Sequence, residues 1–101
     1  MTLAFPKPVR VELPAYRKFV RQHLCVVPKC WKRTEAHHVI FDGQGKTGSK
    51  VDDFFCIPLC EAHHKEAHAS RDDFETKYGL NLYLLIIQLL GEYIAGRHAE
   101  N

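Results

Sequence analysis

Long apolar runs are missing from this sequence of 101 residues. The longest, residues 82–90, is too short to span a bilayer, and the first residues lack the apolar run of a signal peptide. These absences predict a protein that does not enter membranes and that acts in the cytoplasm. In that reducing compartment, the four cysteines favour metal binding over disulfides.

Acidic residues are nearly absent from the first third of the chain. Residues 1–33 hold eight Lys and Arg against Glu12 alone, a net charge of +7, whereas the remaining residues carry −5. This asymmetry predicts a polyanionic partner, with nucleic acid as the first candidate, although a solvated helix face explains it equally well. Arg17, Lys18 and Arg21 share helical spacing and are candidate contacts to a DNA backbone.

The length and the pattern of elements predict one α+β domain over residues 1–101. It divides into a basic N-terminal arm and helix (1–24), a motif-rich core (25–69) and C-terminal helices (70–101). We predict helices over 15–24, 61–69, 72–78 and 82–94, and strands over 35–41 and 54–59. Ser70 and Asn81 are predicted helix caps, and Gly79 a helix stop. The last helix has a broad apolar face, which predicts either core or a homodimer interface. This face comprises Leu82, Leu85, Ile86, Leu89, Leu90, Tyr93 and Ile94.

Two short-spaced pairs of metal ligands lie about thirty residues apart. Cys25 and Cys30 are separated by four residues, and Cys60 and His63 by two. This arrangement predicts a structural zinc site of the Cys3His type, against the alternative of two unrelated pairs. Cys56 is left over, and we interpret it as a small buried apolar residue.

Four further histidines predict a second metal site. His64 and His68 are four residues apart, so on a helix they share one face and suit one ion. His37 and His38 are adjacent, and on a strand they point to opposite faces. One can therefore be a ligand while the other has a different role. The alternative is four unrelated surface or core histidines.

These motifs resemble the HNH endonucleases, also called the ββα-metal family. Residues 35–40 (EAHHVI) match the family's first strand, and residues 58–68 (PLCEAHHKEAH) match its second half. The resemblance implies two antiparallel strands and a helix around one metal ion, with a structural zinc knuckle and flanking helices. It assigns His37, His64 and His68 to the catalytic divalent ion (Mg²⁺, Mn²⁺, Ni²⁺ or Zn²⁺), and His38 to the general base.

The resemblance also implies the remaining roles. Asp53 occupies the position of the family's central asparagine and would tether the loop between the strands. Residues 36–40, 43–50 and 53–60 are similar to the phage recombination-enhancing nucleases of this family. That similarity implies DNA hydrolysis in phage or prophage recombination, 5′-phosphate and 3′-hydroxyl products, and a RecA filament as a partner.

The glycine-rich loop does not predict nucleotide binding, because a P-loop would require glycine where Ile40 stands. Lys46 and Lys50 in this loop either contact DNA phosphates or are solvated. No segment resembles a base-reading helix, so we expect low sequence specificity.

The chemistry of phosphodiester hydrolysis fits this residue set. An imidazole such as His38 can take a proton from water near neutral pH, and a metal can stabilise the departing oxygen. The alternative function is a non-catalytic zinc-knuckle module that binds nucleic acid or protein. A structural zinc site alone does not need His38, so this residue separates the two hypotheses.

Overall fold

The computed structural model describes residues 10–40 and 51–96. In these ranges the chain forms four α-helices and a two-stranded sheet, which confirms the α+β class. The elements are α1 (Pro14–Arg21), β1 (Glu35–His38), a 3₁₀ turn (Asp53–Phe55), β2 (Cys56–Leu59), α2 (Glu61–Ala69), α3 (Arg71–Tyr78) and α4 (Leu82–Ile94).

The sheet is antiparallel, and α2 follows β2 directly. Glu35 pairs with Leu59 and His38 with Cys56, so the start of β1 lies beside the start of α2. Every residue of β2 is buried, because α1, α2 and α4 all pack around this strand. The backbone N–H of Val26 donates to the Pro58 carbonyl, which covers the edge of β2 with the segment that follows α1.

Both strands are shorter than predicted. The apolar stretch after His38 suggested a strand to residue 41, but β1 ends at His38. Phe54 and Phe55 have strand propensity, yet they lie in the 3₁₀ turn that Asp53 begins. Asp53 is held by contacts to residues 10–17, which fix the chain in a turn where propensity favours a strand.

The predicted caps and the predicted stop of the C-terminal helices are confirmed. The Ser70 hydroxyl accepts from the Asp73 N–H, and the Asn81 side-chain oxygen accepts from the Leu84 N–H. Gly79 ends α3 with a φ of +64°, a left-handed conformation that glycine adopts without strain. The first helix begins at Pro14, one residue before the predicted start, and ends at Arg21.

The core lies between α1, β2 and α4. Tyr16 and Phe19 of α1 meet Tyr93 of α4 at ring-centroid distances of 5.1 and 5.2 Å. Leu82, Ile86 and Leu89 are buried as predicted for the inner face, whereas Ile94, assigned to that face, is exposed. Within residues 10–40 and 51–96, no helix combines the length and the apolar character that crossing a membrane requires.

Candidate metal centre and active site

Four side chains converge where the segment after α1 meets the start of α2. The Cys25 and Cys60 sulfurs lie 3.4 and 3.2 Å from His63 Nδ1, and the Cys30 and Cys60 sulfurs are 3.7 Å apart. All four ligand atoms lie within 4.8 Å of one another. Tetrahedral coordination requires sulfur–sulfur separations of about 3.8 Å, given metal–sulfur bonds of about 2.3 Å. This group, predicted from the sequence, can therefore hold one metal ion.

The four cysteines are free thiols, and the 3.7 Å between Cys30 and Cys60 is far beyond a disulfide bond of about 2.05 Å. The Cys25 N–H donates to the Lys32 carbonyl and the Cys30 N–H to the Val27 carbonyl, which closes residues 25–33 into a knuckle. Cys60 is the N-cap of α2. Burial alone would raise the pKa of Cys60, but hydrogen bonds from the N–H groups of this helix terminus and from neighbouring thiols lower it by more. The pKa is therefore lowered overall, which favours the thiolate as a ligand.

His37 and His64 form the centre of a second cluster. Their ring centroids are 4.4 Å apart, and His64 Nδ1 contacts Glu35 Oε1 at 2.7 Å. Burial and the neighbouring imidazoles of His64 and His68 lower the pKa of His37 to about 3, so this ring is neutral. His37 Nδ1 is buried and has no hydrogen-bond partner. A buried nitrogen without a hydrogen-bond partner costs free energy of folding, which makes His37 a candidate for a functional role.

The three predicted catalytic ligands lie around one place but do not form a closed set. His37, His38 and His68 line one cavity of about 250 Å³, and His64 contacts His37 from the same helix that carries His68. The ligand atoms of His37, His64 and His68 are not all within 4.8 Å of one another. The structure thus brings the predicted residues to one region without gathering their three ligand atoms within that distance.

The side chain of His38, the next residue of β1, meets Asp53. His38 Nε2 lies 2.8 Å from Asp53 Oδ1, and the Asp53 side chain is 0% exposed. An ionised carboxylate can only accept hydrogen bonds, so His38 Nε2 carries the proton and donates a hydrogen bond to Asp53. The other ring nitrogen, Nδ1, is then left as an acceptor, which is the form that a general base needs.

Asp53 also holds the N-terminal segment. Its carboxylate accepts from the Leu13 N–H at 2.6 Å and from Arg10 Nη2 at 3.2 Å, and Arg17 Nε lies 3.1 Å away. Burial alone would raise the pKa of Asp53, but the bonds from His38 and Leu13 and the charge of Arg17 together lower it. The visible contacts thus join Asp53 to residues 10–17, whereas the loop that it was predicted to tether, residues 43–50, lies outside the described residues.

Cys56 lies near Asp53 and His38, and their ligand atoms are within 4.8 Å of one another. This group does not suit a cation, because Arg10 and Arg17 already neutralise the carboxylate. Burial and the charge of Asp53 raise the pKa of Cys56 to about 12, which keeps it a neutral thiol. The interpretation of Cys56 as a buried apolar residue agrees with its complete burial.

The predicted DNA contacts divide into three groups. Arg17 is engaged with Asp53 inside the fold, while Lys18 and Arg21 on the same helix are exposed. Lys46 and Lys50 lie outside the described residues. Of the helix positions, Lys18 and Arg21 therefore remain available to a phosphate backbone.

Sequence reasoning missed Glu35, Arg10 and Arg71 as site residues. Glu35 stands two residues before His37, so the two share a face of β1, and that spacing was a usable signal. Arg71 stands three residues after His68 in the sequence and lines the cavity beside it. Its guanidinium group pairs with the Glu75 carboxylate at 2.9 Å. Arg10 reaches Asp53 across 43 positions, and no local pattern indicates such a contact.

Replacing Asp53 with asparagine is expected to lower the free energy of unfolding by about 2–3 kcal/mol. This is below the ~3–5 kcal/mol typical of breaking a buried ion pair, because Arg10 and Arg17 are partly exposed. The lowered pKa means that ionised Asp53 stabilises the fold above pH ~4, and that this contribution fades as pH falls further. The difference between D53N and wild type should therefore narrow below pH ~4.

Urea unfolding between pH 3 and pH 7 measures this difference. Asp52→Asn is the matched control, since Asp52 is half-buried and bonds only the Val11 N–H among the described contacts. We expect D52N to cost less than about 1 kcal/mol. Equal losses for the two variants, or a D53N difference that does not change with pH, would contradict the assigned role of Asp53.

Comparison with known proteins places the chain in a family. A family model described as "Protein of unknown function (DUF968)" matches residues 1–95. The Uncharacterized protein YdfU of Escherichia coli (strain K12) is 37% identical over 84 residues, which are 82% of this chain. The chain spans only 24% of the length of that relative. No solved structure matches the chain. Because the family model covers almost the whole sequence, the chain belongs to the DUF968 family.

Proposed function

We propose that this domain is a metal-dependent DNA endonuclease of the ββα-metal, or HNH, class. One observation carries the proposal: β1, β2 and α2 follow one another, His37, His38 and His68 line one cavity, and His64 contacts His37. A structural module would gain nothing from burying His37 or half-burying His38 and His64, since each of these imidazoles then has a desolvation cost. The reaction class that fits is hydrolysis of a phosphodiester bond.

His38 is the proposed general base. Its Nε2–H donates to the fully buried Asp53, which fixes the ring and leaves the Nδ1 lone pair to take a proton from water. Arg10 and Arg17 hold Asp53 in turn, so three segments of the chain orient one imidazole. A positioned base of this kind contributes typically ~10²–10⁴-fold to the rate.

His37, His64 and His68 are the residues that would hold the catalytic divalent ion. The side chains fit such a role, because His37 is kept neutral and His64 Nδ1 contacts Glu35, an arrangement common among histidine ligands. The buried and unpartnered Nδ1 of His37 is consistent with an additional partner at this site. A bound divalent ion would supply Lewis-acid stabilisation of the scissile phosphate and the leaving oxygen. A set of imidazoles favours Zn²⁺, Ni²⁺ or Mn²⁺ over Mg²⁺ in affinity.

The Cys25, Cys30, Cys60 and His63 group is the proposed structural zinc site. Three thiolates and one imidazole leave no open position, as is typical of structural rather than catalytic zinc. The group clamps the knuckle to the start of α2 and thereby sets where His64 and His68 stand. An enzyme with reduced cysteine ligands and a DNA substrate would act in the cytoplasm.

Phosphate contacts are the proposed role of the exposed cations. Lys18 and Arg21 lie on the exposed side of α1. Contacts to phosphates do not read sequence, so they support cleavage with low sequence specificity and strong dependence on salt.

A plasmid-nicking assay tests the proposal. The purified protein, freed of loosely bound ions, is incubated with supercoiled plasmid and Mg²⁺, Mn²⁺, Ni²⁺ or Zn²⁺ in turn. We expect conversion to nicked or linear DNA with at least one of these ions, and none with chelator added. No cleavage with any ion, by protein that is folded and retains its tightly bound metal, would overturn the assignment.

A non-catalytic metal-knuckle module is the second candidate function. It is favoured by the contrast between the two sites, because the four-ligand group is closed whereas the three histidines are not gathered within 4.8 Å. The same assay separates the candidates, since such a module would bind DNA or protein without cutting DNA.

A further inference from the structure

The knuckle displays a tryptophan on its outer surface. Trp31 follows the ligand Cys30, and it is the one tryptophan of the sequence. It is 73% exposed. An exposed indole presents a large, flat apolar face that a partner can reach.

The backbone holds this side chain outward at some cost. Trp31 has a φ of +59° and Lys29 one of +67°, a left-handed conformation that bulky side chains rarely adopt. Such conformations persist where surrounding contacts impose them, and they are concentrated at functional sites. Here the bond from the Cys25 N–H to the Lys32 carbonyl and the position of Cys30 in the metal centre impose the conformation.

Cationic residues flank Trp31 in the sequence. Lys29, Lys32 and Arg33 are exposed, and within the described residues none of the three takes part in an ion pair. No acidic residue occurs between Glu12 and Glu35 in the sequence. An exposed indole flanked by unpaired cations matches a polymer that alternates flat rings with negative charges.

We propose that this knuckle surface, formed by Trp31, Lys29, Lys32 and Arg33, binds single-stranded DNA through stacking of Trp31 on an unpaired base. The inference rests on the proposed nuclease function for its choice of DNA, and it adds the class of substrate. Aromatic stacking and cationic contacts to the backbone are the usual means of binding single strands without sequence preference. In a duplex both faces of each base are covered by neighbours, so Trp31 would select unpaired positions.

The surface lies close to the candidate active site. Trp31 and Glu35 are four residues apart, which limits the distance between their Cα atoms to roughly 14 Å. Glu35 in turn contacts His64 at 2.7 Å. A strand stacked on Trp31 would therefore present a phosphodiester to the histidine cluster within a few nucleotides, so we expect substrates in which unpaired bases adjoin the cleavage point.

The fluorescence of Trp31 provides a direct test. All variants are made in the His38→Ala background, which prevents cleavage during titration. Stacking on a base should quench the emission of this lone tryptophan when oligo-deoxythymidylate of twenty nucleotides is added, and a closed hairpin duplex should quench it far less. Anisotropy of labelled oligonucleotides then gives affinities for variants that lack the tryptophan.

We expect Trp31→Ala to weaken binding to oligo-deoxythymidylate by about 5- to 150-fold, the range given by stacking energies of ~1–3 kcal/mol per base. Affinity for the duplex should change less than about threefold, and Trp31→Phe should restore most single-strand binding. Tyr83→Ala is the matched control, because Tyr83 is an aromatic residue of 54% exposure on α4. This control should leave both affinities unchanged.

Several results would overturn the inference. These are the absence of quenching by the single strand, equal losses for single strand and duplex in Trp31→Ala, or stronger quenching by polyglutamate, which would indicate an acidic protein partner. The outcome is independent of the nuclease assay. Quenching without plasmid cleavage would remove the nuclease proposal and keep the stacking surface, whereas cleavage with unchanged Trp31→Ala binding would do the reverse.

Discussion

Replacing His38 with alanine is expected to reduce plasmid nicking by at least about 100-fold while leaving the fold and the tightly bound metal in place. The loss follows from removing the one imidazole of the cavity whose ring is oriented by a buried carboxylate, since positioned bases contribute ~10²–10⁴-fold. Stability should change little, because the His38 side chain is 31% exposed and the Asp53 carboxylate keeps its bonds to Arg10 and Leu13. Initial nicking rates and metal content by mass spectrometry measure the two effects.

His23→Ala is the matched control for this variant. The side chain of His23 is 30% exposed and contacts Glu92 and the Phe19 carbonyl, so it resembles His38 in burial and polar contacts. It does not line the cavity, and we expect its nicking rate to stay within about threefold of wild type. Equal losses in the two variants would mean that His38 acts through stability, and full activity of His38→Ala would remove it from the mechanism.

Replacing Cys60 with serine is expected to leave the chain largely unfolded or aggregated at room temperature. Binding of zinc by small structural sites supplies about 10–16 kcal/mol, which is comparable to the whole stability of about 5–15 kcal/mol of a typical domain. Cys60 is a ligand candidate and directly precedes α2, so loss of the candidate metal centre also frees the start of the helix that carries His64. Circular dichroism and metal stoichiometry per chain are the measurements.

Cys56→Ala is the control that distinguishes loss of a metal ligand from loss of a buried thiol. Cys56 is fully buried but belongs outside the group of Cys25, Cys30, Cys60 and His63. Its replacement should cost only about 1–2 kcal/mol for the lost packing, with metal content unchanged. A Cys60→Ser protein that is folded, monomeric and free of metal would show that the four ligands do not form a structural site.

Local signals made much of the fold predictable. The limits of α2 follow from its helical composition and those of α4 from its apolar periodicity, and the caps Ser70 and Asn81 make their predicted hydrogen bonds. Strand ends were less predictable, because long-range contacts of Asp53 decide them. Phe54 and Phe55 have the composition of a strand, but the turn that begins at Asp53 removes both of them from β2.

The candidate site was likewise predictable only where its residues lie at a recognisable spacing in the sequence. The spacing of cysteines and histidines indicated the four-ligand group, and the structure brings those atoms together. The contact of His38 with Asp53 joins positions 15 apart, and Arg10 and Asp53 are 43 apart. Contacts of this kind depend on how the segments pack. Spacing alone therefore did not indicate that the base candidate contacts a carboxylate, which two guanidinium groups hold in turn.

Two adjacent histidines of α2 face different centres, and this limits how the segment can evolve. His63 contacts the sulfurs of Cys25 and Cys60, while His64 meets His37 and Glu35. Successive positions on a helix differ by about 100° in direction, so one inserted or deleted residue would turn every later side chain away from its centre. Substitutions between Cys60 and His68 are therefore tolerable at several positions, but a change in the length of this segment is not.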